Sequence, residues 1–240
     1  DADYGKLPDL SAIPADNDIV FTWNGTTSGV RVPNADFIAE DRTGITINDA
    51  TSAIFAQPMD WPKLDATTYS WQKVMGSEAA HGMLILSPRA VERIESYDPE
   101  WPLPKLFRLK KGGKLNTAIF EGATINTPSM MATEDYIAAL EWAKSIGGLQ
   151  AMHERADANA KIVTDWIEAT PWLRNMVDDP ALRTNTGVCM VFQGDWYDGL
   201  DEDAKASVPK TIASMLEELD VAYDFNGYRD APPSLRIWCG

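Results

Sequence analysis

Apolar runs separated by turn signals characterise the first third of the chain. Four of them have the alternation, or the β-branched and aromatic content, of strands: residues 19–23, 44–48, 68–71 and 82–86. Asn24-Gly25, a strong turn dipeptide, ends the first run. The run 82–86 is continuously apolar, which is typical of a strand covered on both faces. The pattern therefore predicts a sheet, and Pro88 then opens a helix over residues 89–97.

The later part of the chain changes to helical spacing. Thr133, followed by an acidic first turn, predicts the start of a helix, and Gly147-Gly148 predicts its end. A second helix is predicted over residues 149–169, with one apolar face formed by Leu149, Met152, Ala156, Ala160, Val163 and Ile167. A strand, a helix and two short strands are predicted to follow: residues 183–192, 209–219, 222–225 and 235–238. Strands and helices alternate throughout, which indicates an α/β fold.

A long connection rich in Pro, Gly and Lys separates these two parts, over residues 98–131. Such connections are usually functional or disordered, and the sequence favours neither. We predict a domain boundary near residue 130, which divides the chain into residues 1–130 and 131–240. Because the chain opens without Met and its last residues read as a strand cut in mid-course, we expect a fragment with a truncated second domain.

The composition excludes several classes of protein. The formal charge is −15, from 36 acidic and 21 basic residues, which disfavours nucleic acid because Lys and Arg supply most of that affinity. No apolar window approaches the length of about 18 residues that spans a membrane. Only two cysteines, Cys189 and Cys239, are present, which argues against a disulfide framework and favours a reducing, cytoplasmic location. With two histidines and no spaced cluster of ligands, we expect no metal site.

Two residues at predicted strand ends carry candidate chemistry. Lys73 follows a strand and has apolar neighbours, Trp71, Val74 and Met75. Apolar surroundings disfavour the ammonium form of a lysine and free its amine to attack a carbonyl, although most loop lysines are simply exposed. Asp49 ends another strand, where α/β sheets place ligand sites, and a turn or a helix cap is its alternative role. Pyridoxal phosphate uses such a pair, because an acid keeps its pyridine nitrogen protonated while a lysine binds its aldehyde.

Longer stretches resemble a known family. They are residues 23–29 (Trp-Asn-Gly-Thr-Thr-Ser-Gly), 48–60, 69–76 (Tyr-Ser-Trp-Gln-Lys-Val-Met-Gly), 125–129 (Ile-Asn-Thr-Pro-Ser) and 233–238 (Pro-Ser-Leu-Arg-Ile-Trp). They resemble phosphoserine aminotransferases, which are class V members of the fold-type I pyridoxal-phosphate enzymes, and the resemblance covers essentially the whole chain. It implies the aspartate-aminotransferase-like fold of pyridoxal-phosphate-dependent transferases. The chain is then the later part of the large mixed-sheet domain, followed by a smaller α/β domain.

The resemblance implies how four residues hold the cofactor. Lys73 forms the Schiff base with pyridoxal phosphate and moves the proton at the substrate's Cα. Asp49 pairs with the pyridine nitrogen, and Thr26 hydrogen-bonds the phenolic oxygen. Gln72 contacts the cofactor phosphate, and the Gln72-Lys73 pair is fairly specific to this family within class V.

Substrate and partner contacts are implied in the same way. Asn126 and Thr127 match residues that reach the cofactor phosphate of the neighbouring subunit, which implies a homodimer. Arg236 matches the arginine that binds the substrate's α-carboxylate, a task that suits a planar guanidinium. Arg229 matches a contact to the substrate's own phosphate, although its segment departs from the commoner His-Arg pattern.

The implied reaction is amino transfer between L-glutamate and 3-phosphohydroxypyruvate, which gives 2-oxoglutarate and O-phospho-L-serine. The nearest alternatives are other class V enzymes, such as an alanine–glyoxylate-type aminotransferase or a cysteine desulfurase. A desulfurase needs a mobile cysteine, and both cysteines lie in predicted strands. A non-enzymatic carbohydrate-binding module is the alternative suggested by the nine tryptophans, and the two long amphipathic helices oppose it.

Overall fold

A four-stranded sheet is built from the first part of the chain in the computed structural model, which describes residues 2–240. The strands of this part are β1 (Ile19–Thr22), β2 (Asn24–Gly25), β3 (Val30–Arg31), β4 (Thr46–Asp49), β5 (Ala66–Ser70) and β6 (Gly82–Leu86). The sheet order is β1-β4-β5-β6, in which the first three strands are parallel and β6 is antiparallel. The carboxyl ends of the three parallel strands therefore lie at one edge, where α/β sheets bind ligands.

The predicted strands of this sheet are confirmed, with two corrections. Asn24-Gly25 is not a turn: it forms β2, which pairs with β3, and the turn lies at residues 26–29. The side chain of Asn24 is only 6% exposed and hydrogen-bonded, so tertiary contacts override its turn preference. Strand β6 is not covered on both faces, because it is an edge strand and Ile85 is 41% exposed.

A second sheet and most of the helices come from the later part of the chain. The helices are α1 (Pro88–Ser96), α2 (Met130–Ser145), α3 (Gly148–Ala169), α4 (Asp195–Asp198) and α5 (Glu202–Glu218). The remaining strands are β7 (Lys110–Lys111), β8 (Lys114–Leu115), β9 (Leu173–Asn175), β10 (Gly187–Phe192) and β11 (Ser234–Trp238). The second sheet is antiparallel with the order β11-β10-β9, and β7 and β8 form a separate hairpin.

Three predictions about the later elements are wrong in detail. Helix α2 begins at Met130 because the Ser129 side chain caps it, so Thr133 lies inside the helix. Helix α5 begins at Glu202, capped by Asp201, and Pro209 is a buried residue of its interior and not its start. The predicted strand at residues 222–225 is absent from this described segment, which forms bends.

Helix α3 joins the cores of the two sheets. Its Met152 packs in the first core, with Trp71 of the loop after β5 and Tyr136 of α2. Its Ala160 and Ile167 pack in the second core, under β9, β10 and β11. Helix α2, which begins at residue 130, packs on the first sheet, and α3 contacts both sheets. These contacts cross the boundary predicted near residue 130, and the division of the chain into two domains remains a prediction.

Residues 98–131 lie on the surface. All of these residues are described by the structure, and none of them is buried. The segment contains short 3₁₀ turns and the β7–β8 hairpin, and it exposes large apolar side chains: Trp101, Leu106, Phe107, Phe120, Ile125, Met130 and Met131. Among the helices formed by residues 2–240, none has both the length and the apolar character needed to cross a bilayer.

Candidate active site

A tight turn presents Lys73 at the carboxyl edge of the first sheet. The turn follows β5 and closes through a hydrogen bond from the Gly76 amide to the Lys73 carbonyl, at 3.0 Å. Gly76 has a φ of +71°, a conformation that glycine adopts without the strain that a Cβ would bring. Trp71 and Met75 on either side are 8% and 7% exposed and pack in the first core. The backbone around Lys73 is therefore anchored on both sides.

Aromatic stacking fixes the base of this turn. The Trp71 ring is stacked on Tyr136 of α2, with centroids 4.3 Å apart and planes 4° apart, and His81 packs against Trp71 at 4.6 Å. The Tyr136 hydroxyl lies 3.4 Å from that of Tyr69. Burial, followed by this hydroxyl contact, raises the pKa of Tyr136 above its ordinary value, so the phenol stays protonated. His81, which had no assigned role, thus supports the lysine turn by packing.

One cavity at the strand ends brings together four of the predicted site residues. This strand-end cavity has a volume of about 270 Å³ and is lined by Thr22, Asn24, Thr26, Asp49, Thr51, Ser52, Ser70, Gln72 and Lys73. The Asp49 side chain is exposed, and its Oδ1 atom accepts a hydrogen bond from the Thr51 amide at 2.8 Å. A carboxylate, an amine, two carboxamides and several hydroxyls therefore line one space.

A larger cleft lies between the two sheets and shares Lys73 with the strand-end cavity. This inter-sheet cleft has a volume of about 660 Å³, and β11 contributes Arg236 and Trp238 to its wall. The Lys73 Nζ atom lies 5.4 Å from the centre of the Trp238 ring. Arg236 is paired with the exposed Asp224 at 3.6 Å. Lys73 thus stands between a cavity that contains Asp49 and a cleft that contains an arginine.

Three of the predicted site residues lie elsewhere. Asn126 and Thr127 are in the exposed segment 98–131 and line neither the strand-end cavity nor the inter-sheet cleft. Arg229 lines a separate cavity of about 350 Å³, together with Lys210 of α5. Within one chain, the structure therefore does not bring these three residues to Lys73.

Several residues of the site were not predicted from the sequence. Asn24 and Ser52 line both cavities, Trp238 faces Lys73, and Thr186 lines the cleft. Ser52 follows Asp49 by three residues and could have been inferred from the strand-end position alone. Asn24, Thr186 and Trp238 carry no local sequence signal of a site. They reach the site only through the pairing of β10 with β11 and the packing of the β2–β3 hairpin.

Neither cysteine has the properties of a nucleophile. Cys189 is 1% exposed, and burial raises the pKa of its thiol to about 11, against the opposing effect of nearby Arg236. Burial also raises the pKa of the Cys239 thiol above its ordinary value. Both sulfurs therefore stay protonated and inaccessible at neutral pH, which opposes desulfurase chemistry.

Comparisons with known proteins identify relatives of this chain. The chain is similar to the phosphoserine aminotransferase of Methanosarcina mazei, with 54% identity over all 240 residues. The chain spans 62% of the length of that relative.

Solved structures show the same fold. A phosphoserine aminotransferase from Cytophaga hutchinsonii superposes with a TM-score of 0.74 at 23% identity, over 99% of this chain and 63% of that one. A phosphoserine aminotransferase from Trichomonas vaginalis with bound pyridoxal phosphate gives a TM-score of 0.70 at 19% identity, over 98% of this chain and 63% of that one. The expected α/β fold of the fold-type I pyridoxal-phosphate enzymes is thereby confirmed.

The family assignment rests on a match that is longer than half of the chain. The family model for class-V aminotransferases matches residues 10–202, a span that includes the strand-end cavity and Lys73. Pyridoxal phosphate is the cofactor of this family. The chain therefore belongs to the class-V aminotransferases.

Proposed function

We propose that the protein to which this chain belongs is a phosphoserine aminotransferase that uses pyridoxal phosphate. Its reaction is amino transfer between L-glutamate and 3-phosphohydroxypyruvate, which gives 2-oxoglutarate and O-phospho-L-serine. The observation that carries the proposal is the position of Lys73, in the shared wall of the strand-end cavity and the inter-sheet cleft. The 54% identity to a phosphoserine aminotransferase supports this substrate over those of other class V enzymes.

The residues of the strand-end cavity fit the cofactor. Lys73 makes no ion pair or hydrogen bond through its amine with any residue in the described part of the chain, so the amine is available to hold an aldehyde. Gln72 faces the same cavity, and its Oε1 atom is buried without a hydrogen-bond partner among residues 2–240. Asp49 offers a carboxylate for a protonated ring nitrogen, and Thr26 offers a hydroxyl for the phenolic oxygen. The set of groups therefore matches the polar edge of pyridoxal phosphate.

Each of these residues has a defined task in the proposed mechanism. When bound, pyridoxal phosphate supplies an electron sink for the charge that develops at the substrate's Cα. Asp49 holds the proton on the ring nitrogen, which the sink requires. The Lys73 Nζ atom would take the Cα proton as a general base and, as a general acid, would deliver it to the C4′ carbon of the cofactor. Thr26 and Gln72 orient the ring and the phosphate.

The inter-sheet cleft is the proposed substrate site. Arg236 projects into it from β11 and can bind a carboxylate through two N–H groups. Asp224, its partner at 3.6 Å, is 89% exposed, so a substrate carboxylate can replace this weak ion pair. We keep Arg229 as a candidate contact to the substrate phosphate, although it lines a different cavity.

A homodimer is part of the proposal. The exposed apolar side chains of residues 98–131 form a surface suited to burial against a second subunit. Asn126 and Thr127 lie in this segment, exposed and away from the Lys73 of their own chain. We propose that they contact the cofactor phosphate of the partner's site. A cytoplasmic location is proposed as well, because both cysteines are unpaired and buried.

The direct test is to trap the cofactor on its lysine in the full-length protein. Borohydride reduction of the holoenzyme followed by peptide mapping is expected to place pyridoxal phosphate on Lys73. A cofactor attached to any other lysine contradicts the site assignment. Comparing O-phospho-L-serine with L-alanine as amino donor then tests the substrate, and a preference for alanine would favour the alanine–glyoxylate type.

A further inference from the structure

A group of buried polar side chains joins the two sheets beside the active site. We call it the amide cluster, and its members are Asn24, Gln57, Thr184, Asn185 and Thr186. None of them is more than 7% exposed. Asn24 and Gln57 belong to the part of the chain that carries Lys73, whereas the other three precede β10 of the second sheet. The cluster therefore crosses from one half of the site to the other.

Gln57 is the centre of this cluster. Its Nε2 atom shares its hydrogens among Asn24 Oδ1, Thr184 Oγ1 and Asn185 Oδ1, at 3.1, 3.2 and 2.9 Å. Its Oε1 atom accepts a hydrogen bond from Trp23 Nε1 at 3.1 Å. One carboxamide thus joins the turn after β4 to β2 and to the segment that leads into β10, and both of its polar atoms are satisfied.

The two asparagines extend the contacts toward the site. Asn24 donates through Nδ2 to the Ser52 carbonyl at 3.0 Å and to Thr186 Oγ1 at 3.1 Å. Asn185 donates through Nδ2 to the Ala56 carbonyl at 2.8 Å. Ser52 and Ala56 lie in the turn that follows Asp49, so the cluster holds this turn against the second sheet.

From Thr186 the contacts continue to the strand that carries Arg236. The Thr186 carbonyl accepts a hydrogen bond from the Cys239 amide at 2.6 Å. Cys239 follows Trp238, whose ring lies under the amine of Lys73. The position of β11, and with it that of Arg236, is thereby coupled to the cluster.

We propose that Gln57 is a positioning residue, which through the amide cluster sets the placement of Arg236 relative to Lys73. The inference rests on the proposed function. A substrate held by its α-carboxylate at Arg236 must present its Cα proton to the Lys73 Nζ atom. These two groups stand on different sheets, so their spacing depends on what joins the sheets. An error of about 1 Å at this distance lowers a rate by about a hundredfold.

The test compares two amines on the full-length holoenzyme. L-Glutamate carries the α-carboxylate that Arg236 binds, whereas 4-aminobutyrate is the same molecule without it. Gln57→Met keeps the size of the side chain and removes its hydrogen bonds. For this variant we expect kcat/KM with glutamate to fall by about 10- to 100-fold. The rate with 4-aminobutyrate is expected to stay within about threefold, because that amine does not use Arg236.

Asn175→Leu is the matched control. Asn175 is another buried carboxamide, 8% exposed, but it bonds only the Val177 amide beyond β9 and does not join the sheets. This variant is expected to lose stability and to keep the ratio of the two amine rates. An equal loss with both amines in Gln57→Met, or no loss with either, overturns the proposal.

A second variant covers the case in which Gln57→Met does not fold. Asn185→Leu lies outside both cavities of the site and removes one acceptor of Gln57 Nε2, so the same selective loss is expected, at about fivefold. An unchanged ratio in Asn185→Leu likewise overturns the proposal. If the wild-type holoenzyme itself does not react with glutamate, the proposed function fails, and that result is distinct from either variant outcome.

Discussion

At the scale of single residues, the site depends on groups that have few partners of their own. The Lys73 amine lies over the ring of Trp238, and Arg236 has one exposed carboxylate partner, Asp224. Such groups are costly to keep away from water without a ligand, and they exchange their weak contacts readily for stronger ones. Their arrangement around two cavities that share Lys73 supports the proposed site for anions and a carbonyl.

Arg236→Lys is predicted to weaken glutamate binding. A lysine keeps the charge but loses the planar pair of N–H donors that a carboxylate accepts, so KM for glutamate should rise by about 10- to 100-fold. Steady-state kinetics of the full-length enzyme measure this change. Arg174→Lys is the control, since Arg174 is half exposed and pairs only with Asp178. A KM unchanged in Arg236→Lys would exclude Arg236 from carboxylate binding.

Residue-level predictions from the sequence rest on local chemistry. Asp49 and Lys73 were predicted because each ends or follows a strand, and the structure places both on one cavity. Asn24 was predicted as a turn residue because Asn-Gly is a common turn dipeptide. That prediction was wrong because the side chain of Asn24 bonds Thr186, which lies 162 positions away. No local pattern records a contact over that separation.

At the scale of elements, the turn from Lys73 to Gly76 connects backbone conformation with the proposed role of Lys73. Strand β5 ends at Ser70, and Trp71 and Met75 anchor the turn in the first core. The left-handed φ of Gly76 closes the turn and aims Lys73 between the two cavities. Most element positions were predicted within a few residues, since apolar spacing determines which faces can be buried. The exceptions are the start of α5 and the predicted strand at residues 222–225.

Gly76→Ala is predicted to reduce both stability and activity. No atom lies within 4 Å of the added Cβ, so the cost is the left-handed conformation alone, about 1 kcal/mol. Relaxation of the turn should move Lys73 and lower kcat by about tenfold. Gly112→Ala is the matched control, because Gly112 has a φ of +60° and equally open surroundings, at the tip of the β7–β8 hairpin. An equal drop in kcat for both variants would contradict the proposed link.

The starts of α2 and α5 show that sequence patterns do not determine the first residue of a helix. Pro209 and Thr133 are both good starting residues, yet α5 and α2 begin earlier, at caps formed by Asp201 and Ser129. A cap is a hydrogen bond to a specific amide, and several residues near each start could make it. Packing of the first turn decides among them.

At the scale of the whole molecule, a buried ionic cluster holds the amino ends of the sheet together. Asp65 is 1% exposed, and its carboxylate accepts hydrogen bonds from the Thr46 amide and the Ser87 hydroxyl, at 3.0 and 2.8 Å. It also pairs with Arg42 and Arg89, at 3.3 and 3.4 Å. Burial opposes ionisation, yet these partners outweigh it and hold the pKa of Asp65 below its ordinary value.

This cluster makes stability depend on pH. A carboxyl group whose pKa is lower in the folded protein than in the unfolded chain stabilises the fold at pH values above its ordinary pKa. This contribution is lost as the pH falls through the lowered pKa. Asp65→Asn should therefore lower the free energy of unfolding by about 3–5 kcal/mol near neutral pH, with a smaller deficit near pH 3. Urea unfolding at both pH values measures this. Asp18→Asn, which removes an exposed pair with Arg93, should cost at most about 1 kcal/mol. A deficit in Asp65→Asn that does not change with pH contradicts this account.

The proposed dimer predicts complementation between two inactive variants. Lys73→Ala removes the proton carrier of its own site, and a double variant, Asn126→Ala with Thr127→Ala, removes the contacts offered to the partner. If the sites are shared, a mixed dimer contains one complete site, so mixing the two proteins should restore activity. The mixture is compared with each variant alone, after dissociation and reassociation. No recovery would contradict the proposed contact of Asn126 and Thr127 with the partner's site.

Taken by itself, the sequence determined the α/β class and most strands and helices, and it predicted that Lys73 and Asp49 lie at neighbouring strand ends. These features follow from apolar spacing and from the chemistry of single side chains at strand ends, which are local properties. Only the tertiary structure decided that Trp238 faces Lys73, that Arg229 lies in a separate cavity, and that Gln57 joins the two sheets. These contacts join residues far apart in the chain, and their geometry is set by how the two sheets pack.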